Sequence, residues 1–446
     1  MIGWLKAIVK ALLPLGLYVG TMGTCVLAVA GFPLLAIAAI IVMSPLPNVW
    51  YQIHSFPLGK DALDLLVICA FIGLWTGKHI QAGARNNVLL ILYIFVTYLA
   101  VWNSSLAYNL SLPITPSNPV FVAWKNYVQM IMLYFICYHS LGDEKRQQQI
   151  VYLMLFVLFL IAFRDARNFT SGMSFSYDSR AEGPFWQVGL GPNHFGAYIV
   201  HNAALALGLG FFTVQRYWRW FFIGTAIISV KPLFSTYSRG AWAAALAVMV
   251  VFGVLQRRSL LVVLIALMIG WQTLLPEDVV DRVSMTETTD GELESSAGDR
   301  VVLWGLAWDM FLDNPVFGRG LDAFEHSGVG GRYTNVHSLY LETLAELGVI
   351  GFIFLLIILL RSMLAGWALF RRGESDFQRG LGLGFLGCVI ATIITNLFGD
   401  RWSYFAMSIN YWILWGIVER ALASIRVRAR EPAATRAGDA PRPEPA

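Results

Sequence analysis

Long apolar runs separated by short polar breaks recur along the whole chain, near 63–77, 86–102, 122–139, 149–163, 188–213, 218–234, 239–255, 259–275, 339–365, 380–398 and 402–424. Each is close to the roughly 20 apolar residues that carry a helix across a bilayer. The ten-residue alternation of a membrane barrel is absent from them, so the pattern predicts helices. The first 45 residues read either as one span preceded by an interfacial helix or as two short spans broken around Gly20–Thr24. The expected fold is an all-α, polytopic bundle of about 12 transmembrane helices. Its regions are 1–275, spans joined by short loops; 276–338, a long loop; 339–425, the C-terminal spans; and 426–446, a disordered Pro-, Ala- and Arg-rich tail.

Composition removes the main alternative. Of 446 residues, 57% are hydrophobic and 13% charged, against about 25% charged in a soluble domain, which excludes a water-soluble globule. Membrane lipids are therefore expected partners. A net charge of +4 is slight for this length, and no nucleic-acid partner is expected. Cys25, Cys69, Cys137 and Cys388 lie in apolar stretches without metal or redox spacing and read as small hydrophobes.

Charge placement orients the bundle. Short Lys- and Arg-rich connections face the cytoplasm. Lys78/Arg85, Lys145/Arg146, Arg216/Arg219, Arg257/Arg258 and Arg371/Arg372/Arg379 fall on alternate loops. This puts the C-terminus inside and, with Lys6 and Lys10 also inside, predicts an even number of spans. Three segments then lie outside: 164–187, the turn 231–239, and 276–338, a length usually kept for function.

Twelve of the 32 Lys and Arg fall on this outer side: Lys60, Lys125, Arg164, Arg167, Arg180, Lys231, Arg239, Arg282, Arg300, Arg319, Arg332 and Arg401. Arg180 and Arg282, in longer connections, are equally well read as solvated loop charges. Arg239 and Arg401 lie at or beside span ends, where a cation is costly unless it meets an anion. Within the long loop, Asp299 is a candidate N-cap for an interfacial helix that presents Trp304 and Trp308 on one face and ends at Asn314-Pro315.

The succession Ser238-Arg239-Gly240, Arg300 with Trp304, Asn314-Pro315 to Gly320-Leu321, and His337-Ser338 to Leu347-Gly348 resembles the signature of the O-antigen ligase and polymerase superfamily, in a ligase-like arrangement. The resemblance implies a GT-C-like all-helical enzyme in the bacterial inner membrane. Such an enzyme transfers a glycan from undecaprenyl pyrophosphate to an acceptor on the periplasmic face, without cofactor. Arg239 and Arg300 match the motif arginines, and the motif histidine, His337, takes the role of base.

The residues suit that chemistry. Guanidinium groups bind phosphate oxygens bidentately and stabilise charge on a departing pyrophosphate. Arg164, Arg167, Lys231, Arg319, Arg332 and Arg401 are further candidates for the donor. A hydroxyl acceptor needs a base, and His337, where the long loop turns into a span, is expected to be kept neutral by the helix N-terminus. His194 in Gly191-Pro192-Asn193-His194 could touch substrate, although a turn and capping role for Pro192-Asn193 accounts for that motif equally well. Glu342 and Glu346 are expected to pair with a buried arginine. No Asp-x-Asp metal motif occurs, and no metal is expected.

The leading expectation is ligation of O-antigen polysaccharide onto lipid A-core, inverting by analogy. A polymerase with a second lipid-linked glycan as acceptor, or a protein O-oligosaccharyltransferase, would use the same donor. A flippase for lipid-linked sugars would instead show polar groups at mid-span and repeat symmetry.

Overall fold

A computed structural model describes residues 2–81, 85–168, 180–285 and 295–430, and these contain helices and no strand. The chain folds as α1 Ile2–Val29, α2 Pro33–Met43, α3 Pro47–Trp50, α4 Ala62–Thr76, α5 Asn87–Ala107, α6 Pro119–Ser140, α7 Glu144–Asn168, α8 Pro192–Phe212 and α9 Arg216–Ser235. Then come α10 Arg239–Leu255, α11 Ser259–Leu274, α12 Glu277–Ser284, α13 Ser295–Asp313, α14 Ala323–Ser327, α15 Leu339–Arg372, α16 Asp376–Thr395 and α17 Phe405–Arg430. Among the described residues, seven helices are long and apolar enough to cross a membrane, or up to nine if each of two bent pairs is one span. The shorter apolar helices α4 and α10 pack in the same bundle. The molecule is thus a multi-pass helical membrane protein.

The N-terminal block differs from both expected arrangements. α1 continues unbroken through Gly20–Thr24, and the chain reverses at Gly31 instead. The Thr76 hydroxyl donates to the Val29 carbonyl at 2.6 Å, so α1 and α4 end together. α4 and α6 also start together, through the Lys125–Asp64 pair, and α6 starts beside the end of α5, where Asn118 donates to the Ser105 hydroxyl at 2.9 Å. α1 therefore begins at the end of the bundle where α5 finishes. This removes the premise, Lys6 and Lys10 inside, on which the even span count rested.

Two packed regions hold the site end in place. α17 carries Trp412, Trp415 and Tyr411 fully buried against α6, with Trp402 just before it. These large aromatic side chains dominate the interior. α13 buries Leu303, Ala307 and Met310 against Phe324, Val336 and Ala345, which ties the long loop to α15.

α15 is broken at Gly348, whose φ of 65° and ψ of −167° are open to glycine but not to residues with a Cβ. The interrupted helical ladder is repaired from outside. Arg319 and Gly320 donate backbone N–H to the Ala345 and Glu346 carbonyls at 2.9 Å each, and Val349 donates to the Pro315 carbonyl at 2.8 Å. The stretch from Pro315 to Gly320 therefore serves as a clasp on α15.

α13 ends at Asp313, just before Asn314-Pro315, as expected, but it begins at Ser295. Asp299 is thus an internal residue and not an N-cap. α17 runs to Arg430, past the boundary expected at 425, and residues 431–446 of the expected tail lie outside the described residues.

Candidate functional site

Five arginines from five separate places in the chain line one small pocket: Arg180, Arg239, Arg282, Arg300 and Arg401. Each is delivered by a local device. Arg239 is the first residue of α10, after Ser238 at its N-cap, and Arg300 sits in the second turn of α13. Arg282 is buried on α12, where the chain has turned by 102° after α11. Arg401 follows the turn at Gly399-Asp400 between α16 and α17.

Arg180 is fixed by two hydrogen bonds, donating to the Thr236 carbonyl and to Asn193 Oδ1 at 2.9 Å each. Arg401 is 8% exposed, and its buried Nε and Nη1 have no hydrogen-bond partner. Burial, together with neighbouring arginines, lowers the guanidinium pKa of Arg180 to about 10. Burial does the same to Arg401, to about 10, opposed by Asp400 and reinforced by Arg300. Both groups remain cationic at neutral pH. Like charges gathered in a partly desolvated space repel unless an anion joins them.

His337 stands beside this pocket. Its φ of 59° is unusual for a residue with a side chain, a local strain that the surroundings must hold. The Asn335 side-chain oxygen accepts its backbone N–H at 2.7 Å, and Tyr333 meets its ring edge-on. Burial first, then the charges of Arg300 and Arg401, depress its pKa to about 4. The imidazole is neutral at pH 7, as expected, but burial and two arginines account for this where the sequence pointed to a helix terminus. His194, near the start of α8, lies against Tyr404 with Nε2 3.2 Å from the Asp400 carbonyl, within electrostatic reach of Arg401 and His337.

On the other side of Asp400 opens a second, larger cavity of about 360 Å³, lined by Asp322, Glu325, Glu342, Glu346 and Asp400 with Tyr93, Tyr127, Trp402 and Tyr404. Its acids are held by the fold. Glu346 accepts the backbone N–H groups of Asp322 and Phe324 at 3.0 and 3.2 Å. Asp400 accepts those of Trp402 and Ser403 at 2.7 and 3.1 Å. Glu342 accepts from Asn335 at 3.4 Å. The buried-arginine partner expected for Glu342 and Glu346 is replaced by these amide donors. Burial raises the pKa of Asp322 to about 6, with Glu325 adding to the rise.

The structure thus brings together Arg239, Arg300, Arg401, His337 and His194, and adds Arg180 and Arg282, which the sequence left as equally well solvated loop charges. Their signal is visible only in three dimensions. Five expected cations stand apart from the pocket. Arg164 and Arg167 are exposed in the last turns of α7. Arg319 belongs to the clasp and faces Asp313 at 3.9 Å, and Arg332 pairs at the surface with Asp299 and Tyr333. Lys231 is exposed on α9 and does not line the pocket. Among the described residues, no group of three or more His, Cys, Asp or Glu could hold a metal ion.

A helical membrane bundle with a polybasic pocket beside a neutral histidine is the class defined by this fold and geometry. The family described as Wzy_C, O-Antigen ligase, matches residues 224–356. That range includes Arg239, Arg282, Arg300 and His337, and the match supports membership of the O-antigen ligase and polymerase superfamily. The family indicates a glycosyltransferase of O-antigen ligase or polymerase type, with a lipid-linked glycan and an acceptor as substrates. No curated protein matches the chain.

Proposed function

We propose that this protein is an O-antigen ligase: a GT-C-like, metal-independent glycosyltransferase of the bacterial inner membrane that moves O-antigen polysaccharide from undecaprenyl pyrophosphate to lipid A-core on the periplasmic side. The observation that carries the reading is the convergence of five arginines on one pocket beside a neutral His337. A pyrophosphate diester is the anion that such a pocket would complete.

In the reaction, an acceptor hydroxyl attacks the anomeric carbon and its proton passes to the His337 imidazole. The new glycosidic C–O bond forms as the bond from the anomeric carbon to the pyrophosphate oxygen breaks, and undecaprenyl pyrophosphate leaves with the electron pair. The arginines stabilise the negative charge that grows on that oxygen. One displacement on the face opposite the leaving group gives inversion.

Reconstitution tests the reading. Purified protein, undecaprenyl-pyrophosphate glycan and core lipopolysaccharide, with a chelator present, should give ligated lipopolysaccharide. Lengthened lipid-linked glycan without ligated product would overturn ligation in favour of a polymerase.

A further inference from the structure

The end of the bundle opposite the arginine pocket holds a second basic cavity, between α15, α17 and the segment leading into α5. We propose that it binds the headgroup of an anionic glycerophospholipid. This inference is independent of the proposed transfer reaction.

The cavity has a volume of about 560 Å³ and takes Arg85, Arg361, Arg372 and Arg426 in its lining. Glu419 is the sole acid among the lining residues, so three positive charges are left over. Arg361 carries the argument. It stands eleven residues before the end of α15, about 16 Å along the helix at 1.5 Å per residue, with apolar Val349–Leu360 on one side and Met363–Phe370, also apolar, on the other. Among the described residues, no carboxylate lies within 4.0 Å of it. An arginine at that depth calls for an anion or for water drawn in to reach it.

The one acid does not meet the demand. Glu419 Oε1 accepts from Asn86 at 2.9 Å, and its Oε2 lies 3.7 Å from Arg426 Nη2. Both of the latter atoms are buried without a hydrogen-bond partner. The remaining wall, Leu364, Ala368, Leu422 and Ile425, is apolar and continuous with the helix surface. A ligand that suits this place has a phosphate for the arginines and hydrocarbon for the wall. Basic pockets between helices near the anionic leaflet bind lipid headgroups in this way, and the neighbouring Lys- and Arg-rich loops mark this end as the cytoplasmic one.

Native mass spectrometry of the full-length protein in detergent tests this, with dioleoyl-phosphatidylglycerol and dioleoyl-phosphatidylcholine as probes. Phosphatidylglycerol should bind at least about tenfold more tightly, and Arg85→Gln with Arg361→Gln should weaken it about thirtyfold, at roughly fivefold per arginine. Arg371→Gln, outside the cavity with its guanidinium over Trp367, should leave binding unchanged. If the first pair fails to fold, Arg85→Gln with Arg372→Gln, both exposed positions, reads the same effect. Equal binding of the two lipids, equal binding by the cavity variants and Arg371→Gln, or displacement by millimolar inorganic phosphate would each overturn the assignment.

Discussion

The arginine pocket and the carboxylate-lined cavity meet at two consecutive residues, Arg401 and Asp400, yet their charges are treated in opposite ways. Two of the acids, Glu346 and Asp400, are closed from within, since backbone amides supply each with two donors. The guanidinium of Arg401 is left with buried nitrogens that have no partner. A charge satisfied by amides belongs to the fold, whereas a buried charge left open implies a ligand. The two sides should therefore fail differently, the basic side in turnover and the acidic side in stability.

The largest effect is expected at the seam between them. His337→Ala should lower kcat by about a hundredfold to ten-thousandfold, the usual range for loss of a general base, with thermal stability retained in a detergent melt. A near-normal rate would remove the base assignment. pH sharpens the point, because kcat/KM reports the free enzyme. With His337 held near 4, kcat/KM should stay flat from pH 7 down to about 5 and fall below that. Bound pyrophosphate offsets Arg300 and Arg401, so the acid limb of kcat should lie at higher pH than that of kcat/KM. Coincident limbs would break the link between the pocket and the histidine. For stability, the pKa lies below the unfolded value of about 6.5, so the contribution of His337 is complete above that pH and is lost as pH falls toward 4.

Next in size stand the arginines. Arg300→Ala or Arg401→Gln should cost about a hundredfold to a thousandfold in transfer, as for the loss of one charge-stabilising donor. Gly399 offers the same test without touching a charge. A Cβ there would fall 1.6 Å from Arg401 Nη1, so Gly399→Ala must push the guanidinium aside. A misplacement of about 1 Å can cost up to a hundredfold. If Gly399→Ala transfers normally while Arg401→Gln does not, the position of Arg401 matters less than its charge.

The sequence told these regions apart only in part. Local signals worked: Ser238-Arg239 opens α10, Ser338 follows His337 at the start of α15, and Asn314-Pro315 stops α13. Each depends on residues within a turn of one another. Arg180 and Arg282 could be read equally well as solvated charges, because a cation in a long polar connection usually is one. Only packing carries α12 back over the bundle and buries Arg282. Gly318-Arg319-Gly320 shows the converse: a motif beside a charge resembled chemistry, and its backbone forms a clasp on the break at Gly348. Hydrophobic periodicity carries no trace of that break, since apolar positions recur in α15 right up to Gly348 and directly after it.

Glu346→Gln should act on the other side of the comparison. Its carboxylate receives two backbone N–H groups, and the amide would set a donor against one of them. The cost expected for an unsatisfied buried group is about 1–3 kcal/mol, visible as a lower Tm, with transfer changed little in the protein that remains folded. Loss of turnover at unchanged Tm would move Glu346 from the fold into the reaction.

The smallest effect is expected at Arg332, and it is the strictest check on the comparison. It is a cation of the same loop as Arg300, but its side chain is 78% exposed and faces Asp299 at 3.4 Å. An exposed pair of this kind is screened by solvent and contributes little, and the guanidinium has no part in the pocket. Arg332→Ala should leave donor KM and kcat within about twofold of the wild type, the scatter typical of surface substitutions. If its loss instead matched that of Arg300→Ala, then positive charge anywhere on this face would be enough to hold the donor. Convergence on one buried pocket would then cease to distinguish the catalytic arginines from the rest.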